Sequence, residues 1–196
     1  MSNTFISRYV MKLNLKDYVQ RIQLISSEQA DQTIKELDQT AWKDFDYKGS
    51  ENICVQDNPS LPYQVTEADF PNLSDTVSKA VDNYINNFLK DLPWFSYWNG
   101  KTRFFWIKYP AGSDGMGVHA DHVRNIFDGT RRGIPTLTVL GALNDNYEGG
   151  ELEFWEDEKI KLKAGEALIF PSNFLYPHQV LPITKGNRYS FAVWIW

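Results

Sequence analysis

The chain changes its hydrophobic rhythm about half-way along. The first hundred residues carry two helical stretches, and the remainder reads as short strands. In the strand-like run at residues 18–25, Tyr18, Gln20 and Ile22 fall on one side and Val19, Arg21 and Gln23 on the other. Ser26 with Gln29 three positions on forms a capping-box signature. It predicts a helix with Ala30, Ile34 and Leu37 on its apolar stripe, fading near Thr40. Residues 43–66 are irregular and rich in turn formers, consistent with a hairpin or a long surface loop. A second helix starts at Pro71 and is stopped by Pro93; Leu73, Val77, Ala80, Val81, Tyr84, Ile85, Phe88 and Leu89 mark its apolar face.

From Lys101 onward, strands are expected at residues 103–109, 136–143, 151–154, 159–162, 167–170, 178–181 and 188–196. Gly112, Gly115 and Gly117 read as a flexible connection into His119, and residues 122–135 as a loop. Seven or eight short strands at this spacing imply a sandwich or barrel. With both helices preceding them, the fold class is α+β, mainly β, with helices packed on one side of a β core. A length of 196 residues fits a single domain over 1–196, in which residues 1–100 support a core at 101–196.

Composition narrows the function classes. Aromatics make up 15% of the chain, favouring a β-rich core. The formal net charge of −5 and the absence of a basic run give no support to a nucleic-acid partner. No window approaches a membrane span, the N-terminus shows no leader-like pattern, and Cys54 is the only thiol. A cytoplasmic protein without a membrane partner is expected; the oligomeric state is left open.

Candidate chemistry centres on Val118-His119-Ala120-Asp121-His122. In an extended segment His119 and Asp121 point to the same side, whereas His122 has the wrong parity. The pair alone is a chance-level motif. His178, at the start of a later strand, is the remaining histidine of the β half. Two histidines and one carboxylate make the facial set of non-haem Fe(II) oxygenases, which leaves coordination positions open. A structural zinc site prefers four closed ligands with thiolates. A zinc hydrolase and a non-catalytic cupin-like binding module remain as alternatives.

Further motifs stand in a definite order. Tyr109-Pro110 precedes His119-x-Asp121. Next come Thr138 with Leu143-Asn144, then Gly149-Gly150-Glu151-Leu152-x-Phe154. Residues 165–170 (GEALIF) lead to His178-Gln179-Val180-x-Pro182-Ile183-x-x-Gly186-x-Arg188, and finally to Trp194. In this order and spacing, residues 103–194 resemble the 2-oxoglutarate- and Fe(II)-dependent dioxygenases, specifically the prolyl 4-hydroxylase-like branch.

The resemblance implies a double-stranded β-helix, with Fe(II) held by His119, Asp121 and His178. It implies 2-oxoglutarate and O₂ as cosubstrates and admits ascorbate as a reductant. Arg188 would pair with the distal carboxylate of 2-oxoglutarate, as a guanidinium can through two parallel hydrogen bonds. Tyr109 and Thr138 would assist it. Leu140, Ala142, Leu152, Phe154, Ser190, Ala192 and Trp194 are expected to line the pocket. Arg124, Arg131 and Arg132 are candidates for a substrate-covering lid. One departure is that Ala142 stands where oxygen-sensing members carry a tyrosine. The implied reaction couples oxidative decarboxylation of 2-oxoglutarate to hydroxylation, with a prolyl residue of a protein or peptide as the branch's substrate; a non-prolyl or small-molecule substrate is the alternative.

Overall fold

The computed structural model describes residues 14–45, 63–90, 92, 95, 97–121 and 134–196. His122 and the three lid arginines, Arg124, Arg131 and Arg132, lie outside the described residues. After a short 3-10 turn, Leu15–Tyr18, strand β1 occupies Gln20–Gln23. Helix α1, Ser27–Leu37, starts with the expected capping box. The Gln29 amide donates to Ser26 Oγ at 3.2 Å, and the Ser26 amide donates to Gln29 Oε1 at 2.9 Å. Those two bonds satisfy donors that a helix N-terminus otherwise leaves open. The irregular stretch at 43–66 is entered by β2, Lys43–Asp44, and left by β3, Gln64–Thr66, which pair antiparallel.

Helix α2, Pro71–Tyr84, passes into a π-helical turn at Ile85–Leu89. The wider turn shifts the apolar stripe. Ile85 and Leu89 stay buried, while Phe88, expected on the buried face, is 41% exposed.

Ten strands follow: β4 (Phe105–Tyr109), β5 (Met116–His119), β6 (Leu137–Ala142), β7 (Glu148–Gly149), β8 (Leu152–Phe154), β9 (Glu158–Ile160), β10 (Glu166–Pro171), β11 (His178–Val180), β12 (Ile183–Lys185) and β13 (Arg188–Ile195). They form a double-stranded β-helix. A seven-stranded sheet in the order β1-β10-β6-β13-β4-β3-β2 faces a four-stranded sheet in the order β5-β11-β8-β9. Every pairing in both sheets is antiparallel. The stretch expected as a flexible connection into His119 is therefore partly strand, because β11 supplies β5 with a pairing partner. β7 and β12 form a separate two-stranded ribbon.

The larger sheet is buried on both faces. Trp106, Val139, Ile169, Phe191, Val193 and Ile195 point outward into a core shared with Leu37, Val77 and Val81 of the two helices. Ile107, Tyr109, Leu168 and Phe170 point the other way and meet Leu152, Phe154 and Val180 of the smaller sheet. Alternate residues of one strand thus serve two cores. Gly141 allows the close approach of β13, since a Cβ there would meet the Phe191 ring at 2.2 Å.

Candidate active site

Strand pairing brings the first two donors together. His178 and His119 are register partners on β11 and β5, and their ring centroids lie 4.5 Å apart. Asp121 follows two residues later. Its Oδ1 is 3.6 Å from His119 Nε2 and its Oδ2 is 3.8 Å from His178 Nε2. One ligand atom from each of the three residues falls within 4.8 Å of the other two.

The surroundings aim these atoms. His119 Nδ1 lies 2.8 Å from the Gly117 carbonyl and His178 Nδ1 lies 3.1 Å from the Tyr176 carbonyl. A carbonyl oxygen can only accept, so each Nδ1 carries the proton and each Nε2 presents its lone pair inward. The His178 ring is held between Phe154, at 5.3 Å, and the edge-on Phe170, at 5.1 Å. Thr138, expected against the cosubstrate, instead donates to Asp121 Oδ2 at 2.7 Å, with Ser172 Oγ 2.8 Å from its own hydroxyl. That hydrogen bond orients the carboxylate.

The electrostatics suit a cation. Burial opposes ionisation of Asp121, but His178, His119 and Thr138 outweigh it and hold the carboxyl well below the usual range. Burial also pushes His178 down to about 4, keeping it neutral. Burial works against protonation of His119 too, yet its hydrogen bond and charge interaction with Asp121 raise it above an ordinary imidazole. Two inward imidazole nitrogens and one carboxylate, all confined to one side, fit an octahedral ion such as Fe(II) with open positions.

A cavity of about 50 Å³ is lined by these donors. Arg188 lines it, only 3% exposed. Its Nε donates to the Gly150 carbonyl at 3.1 Å and its Nη1 donates to Ser190 Oγ at 2.7 Å. The guanidinium lies 5.2 Å from the Tyr109 ring centre and 6.0 Å from that of Tyr147. Gly150 sits at φ 67°, a backbone conformation that favours glycine, and a Cβ there would crowd Arg188 Cδ at 3.0 Å. Among the described residues no carboxylate lies within ion-pairing distance of Arg188.

Of the expected lining residues, Tyr109, Leu140, Leu152, Ser190, Ala192 and Trp194 face the cavity. Ala142 and Phe154 do not; both are packed into the inner core, and Phe154 acts through His178. Phe105 and Ile107 also line the space. They share a strand face with Tyr109, and that parity was legible. Ser172 and Tyr147 carry no local signal, because their contacts arise only from strand pairing.

The sequence model described as the 2OG-Fe(II) oxygenase superfamily matches residues 104–196. That match takes in the β half of the chain, just under half of its length. The chain resembles a PKHD-type hydroxylase of Shewanella oneidensis, 38% identical over 88 residues, a match covering 43% of this chain and 38% of that protein. The chain thus spans well under half of that relative's length. A longer match, 28% identical over 179 residues, pairs 88% of the chain with 75% of a PKHD-type hydroxylase of Shewanella sp. strain MR-4. Among solved structures, the viral collagen prolyl hydroxylase of Paramecium Bursaria Chlorella virus-1 superposes with a TM-score of 0.65 at 18% identity, covering 91% of this chain and 95% of that one. A prolyl-4-hydroxylase of Pseudomonas putida gives 0.62 at 19% identity, with 91% of each chain covered. These likenesses show that the chain shares the double-stranded β-helix fold.

Proposed function

We infer that the protein is a 2-oxoglutarate- and Fe(II)-dependent dioxygenase that hydroxylates its substrate, a prolyl residue in a protein or peptide. The described chain would act as one domain, residues 1–100 buttressing the oxygenase half. One observation supports this reading beyond a plain metal site: Arg188 is a buried cation with no carboxylate partner among the described residues, lining the same cavity as the three donors. Burying an unpaired charge is unfavourable, so such a group calls for an anion from outside. A dicarboxylate with a keto group satisfies both ends of the cavity.

His119 Nε2, Asp121 and His178 Nε2 would hold the ion, and the Thr138 hydroxyl fixes which carboxylate oxygen is left to it. Bound Fe(II) supplies O₂ activation, coupled to conversion of 2-oxoglutarate to succinate and CO₂. Arg188 and Ser190 would grip the distal carboxylate, Tyr109 would close the wall beside them, and Leu140, Leu152 and Ala192 would keep water out. The prolyl assignment rests on the similarity to PKHD-type and prolyl hydroxylases.

The test has two stages. Anaerobic addition of Fe(II) and 2-oxoglutarate should produce a metal-to-ligand charge-transfer band in the visible range; its absence overturns the oxygenase reading. Succinate release should then rise when proline-containing peptides are added. Activity without O₂ and 2-oxoglutarate would point instead to a hydrolase.

A further inference from the structure

The cavity does not end at its mouth. Phe105 and Trp194 line both it and a surface groove formed with Glu67, Asp69, Thr102, Arg103 and Trp196. The groove is preformed. The Trp194 amide donates to Thr102 Oγ1 at 3.1 Å and the Thr102 amide donates to the Trp194 carbonyl at 2.9 Å, lacing the two walls together. The Asn99 amide donates to the Trp196 carbonyl at 2.6 Å, and the Trp196 ring lies against Gly100, where a Cβ would meet it at 2.8 Å.

Two further features point to an occupant. Trp194, which lines both spaces, has a buried Nε1 with no hydrogen-bond partner among the described residues. Glu67 and Asp69 are exposed and form no ion pair with any described residue. Two carboxylates against the single guanidinium of Arg103 leave the groove one negative charge in excess.

We propose that this groove seats the polypeptide flanking the hydroxylated residue, and that Glu67 and Asp69 select substrates with a lysine or arginine beside the target. The proposal rests on the oxygenase reading above. An extended peptide supplies carbonyl acceptors along its length and apolar surface for two indole faces. A basic flank supplies the complementary charge, and charge complementarity at a rim sets preference among partners. A small-molecule substrate would have no use for the groove.

The test compares two proline-containing peptides, identical except for lysine or glutamate on either side of the proline. Succinate release is measured for each with the full chain loaded with Fe(II) and 2-oxoglutarate. The lysine peptide should be favoured in kcat/KM by roughly three- to tenfold, as two exposed ion pairs can supply, with the margin shrinking at high salt. In the Glu67→Lys/Asp69→Lys double variant the preference should vanish or reverse, with the charge-transfer band recorded to check that the protein is folded and loaded. Equal turnover of both peptides overturns the proposal, as does a preference that survives the double variant. So does a protein that shows the band yet gives no peptide-stimulated succinate. Loss of the band in the unmodified chain would instead sink the oxygenase reading itself.

Discussion

Thr138 shows how much one hydroxyl can govern. It occupies one lone pair of Asp121 Oδ2 and is itself anchored by Ser172. Thr138→Val keeps the shape and removes both bonds. It should weaken Fe(II) binding roughly 10–100-fold, the usual cost of losing a group that orients a ligand, measurable by anaerobic metal titration. The proton balance gives a second expectation. His119 holds its proton more tightly than an ordinary imidazole, whereas His178 is already neutral above about 4. Metal binding must displace the His119 proton. Apparent affinity should therefore fall as pH drops toward about 6, and the fall should begin at higher pH than for an unperturbed histidine near ~6.5. Proton release measured on metal addition in weak buffer checks the sign. Arg188→Leu keeps bulk and removes the cation; it should raise the 2-oxoglutarate concentration needed for the charge-transfer band by at least about tenfold, with the ion still bound.

At the scale of elements, the rhythm of the chain was readable where a run was long or locally closed. The Ser26–Gln29 box is complete within four residues, and the α2 stripe repeats for four turns, so both were visible without tertiary knowledge. β7 and β12, at two and three residues, are too short to show a period. β5 contains Gly117 and lies beside Gly115, both poor strand residues, and pairing with β11 overrides that preference. Phe88 leaves its face because one widened turn rotates everything after it, which no 3.6-residue pattern can announce. The candidate site divides in the same way. His119, Asp121, His178 and Arg188 were nameable through the motif order that the chain shares with the dioxygenases it resembles. The true neighbour of Thr138 was not, because Asp121 reaches it only across the folded barrel. A packing test belongs here: Gly141→Ala drives a methyl into the Phe191 ring and should destabilise the protein by about 1–3 kcal/mol, read as a shifted urea midpoint with an unchanged slope.

Across the whole molecule, the outer core and the metal site are physically separate. The outer core joins both helices to the back of the larger sheet and contains none of the three metal-capable residues. Stripping metal with a chelator should abolish the charge-transfer band yet leave the near-ultraviolet circular dichroism of the Trp106, Phe104 and Phe191 cluster largely intact. Trp106→Ala should do the opposite damage. It empties a fully buried position stacked on Phe104 and edge-on to Phe70 and Phe191, at a cost of about 3–5 kcal/mol. Its effect on metal affinity should be indirect and smaller.

The two-sidedness of β13 has a consequence for how this protein tolerates change. Arg188, Ser190, Ala192 and Trp194 look into the cavity, while Tyr189, Phe191, Val193 and Ile195 look toward the helices. Swapping one residue alters one surface. Deleting or inserting a single residue between the turn at Gly186 and the strand would exchange the two surfaces wholesale, putting aromatic bulk into the cavity and a guanidinium against the helices. The lineage of such a strand can drift in chemistry but is locked in length, and libraries built to retune it should vary letters and never spacing.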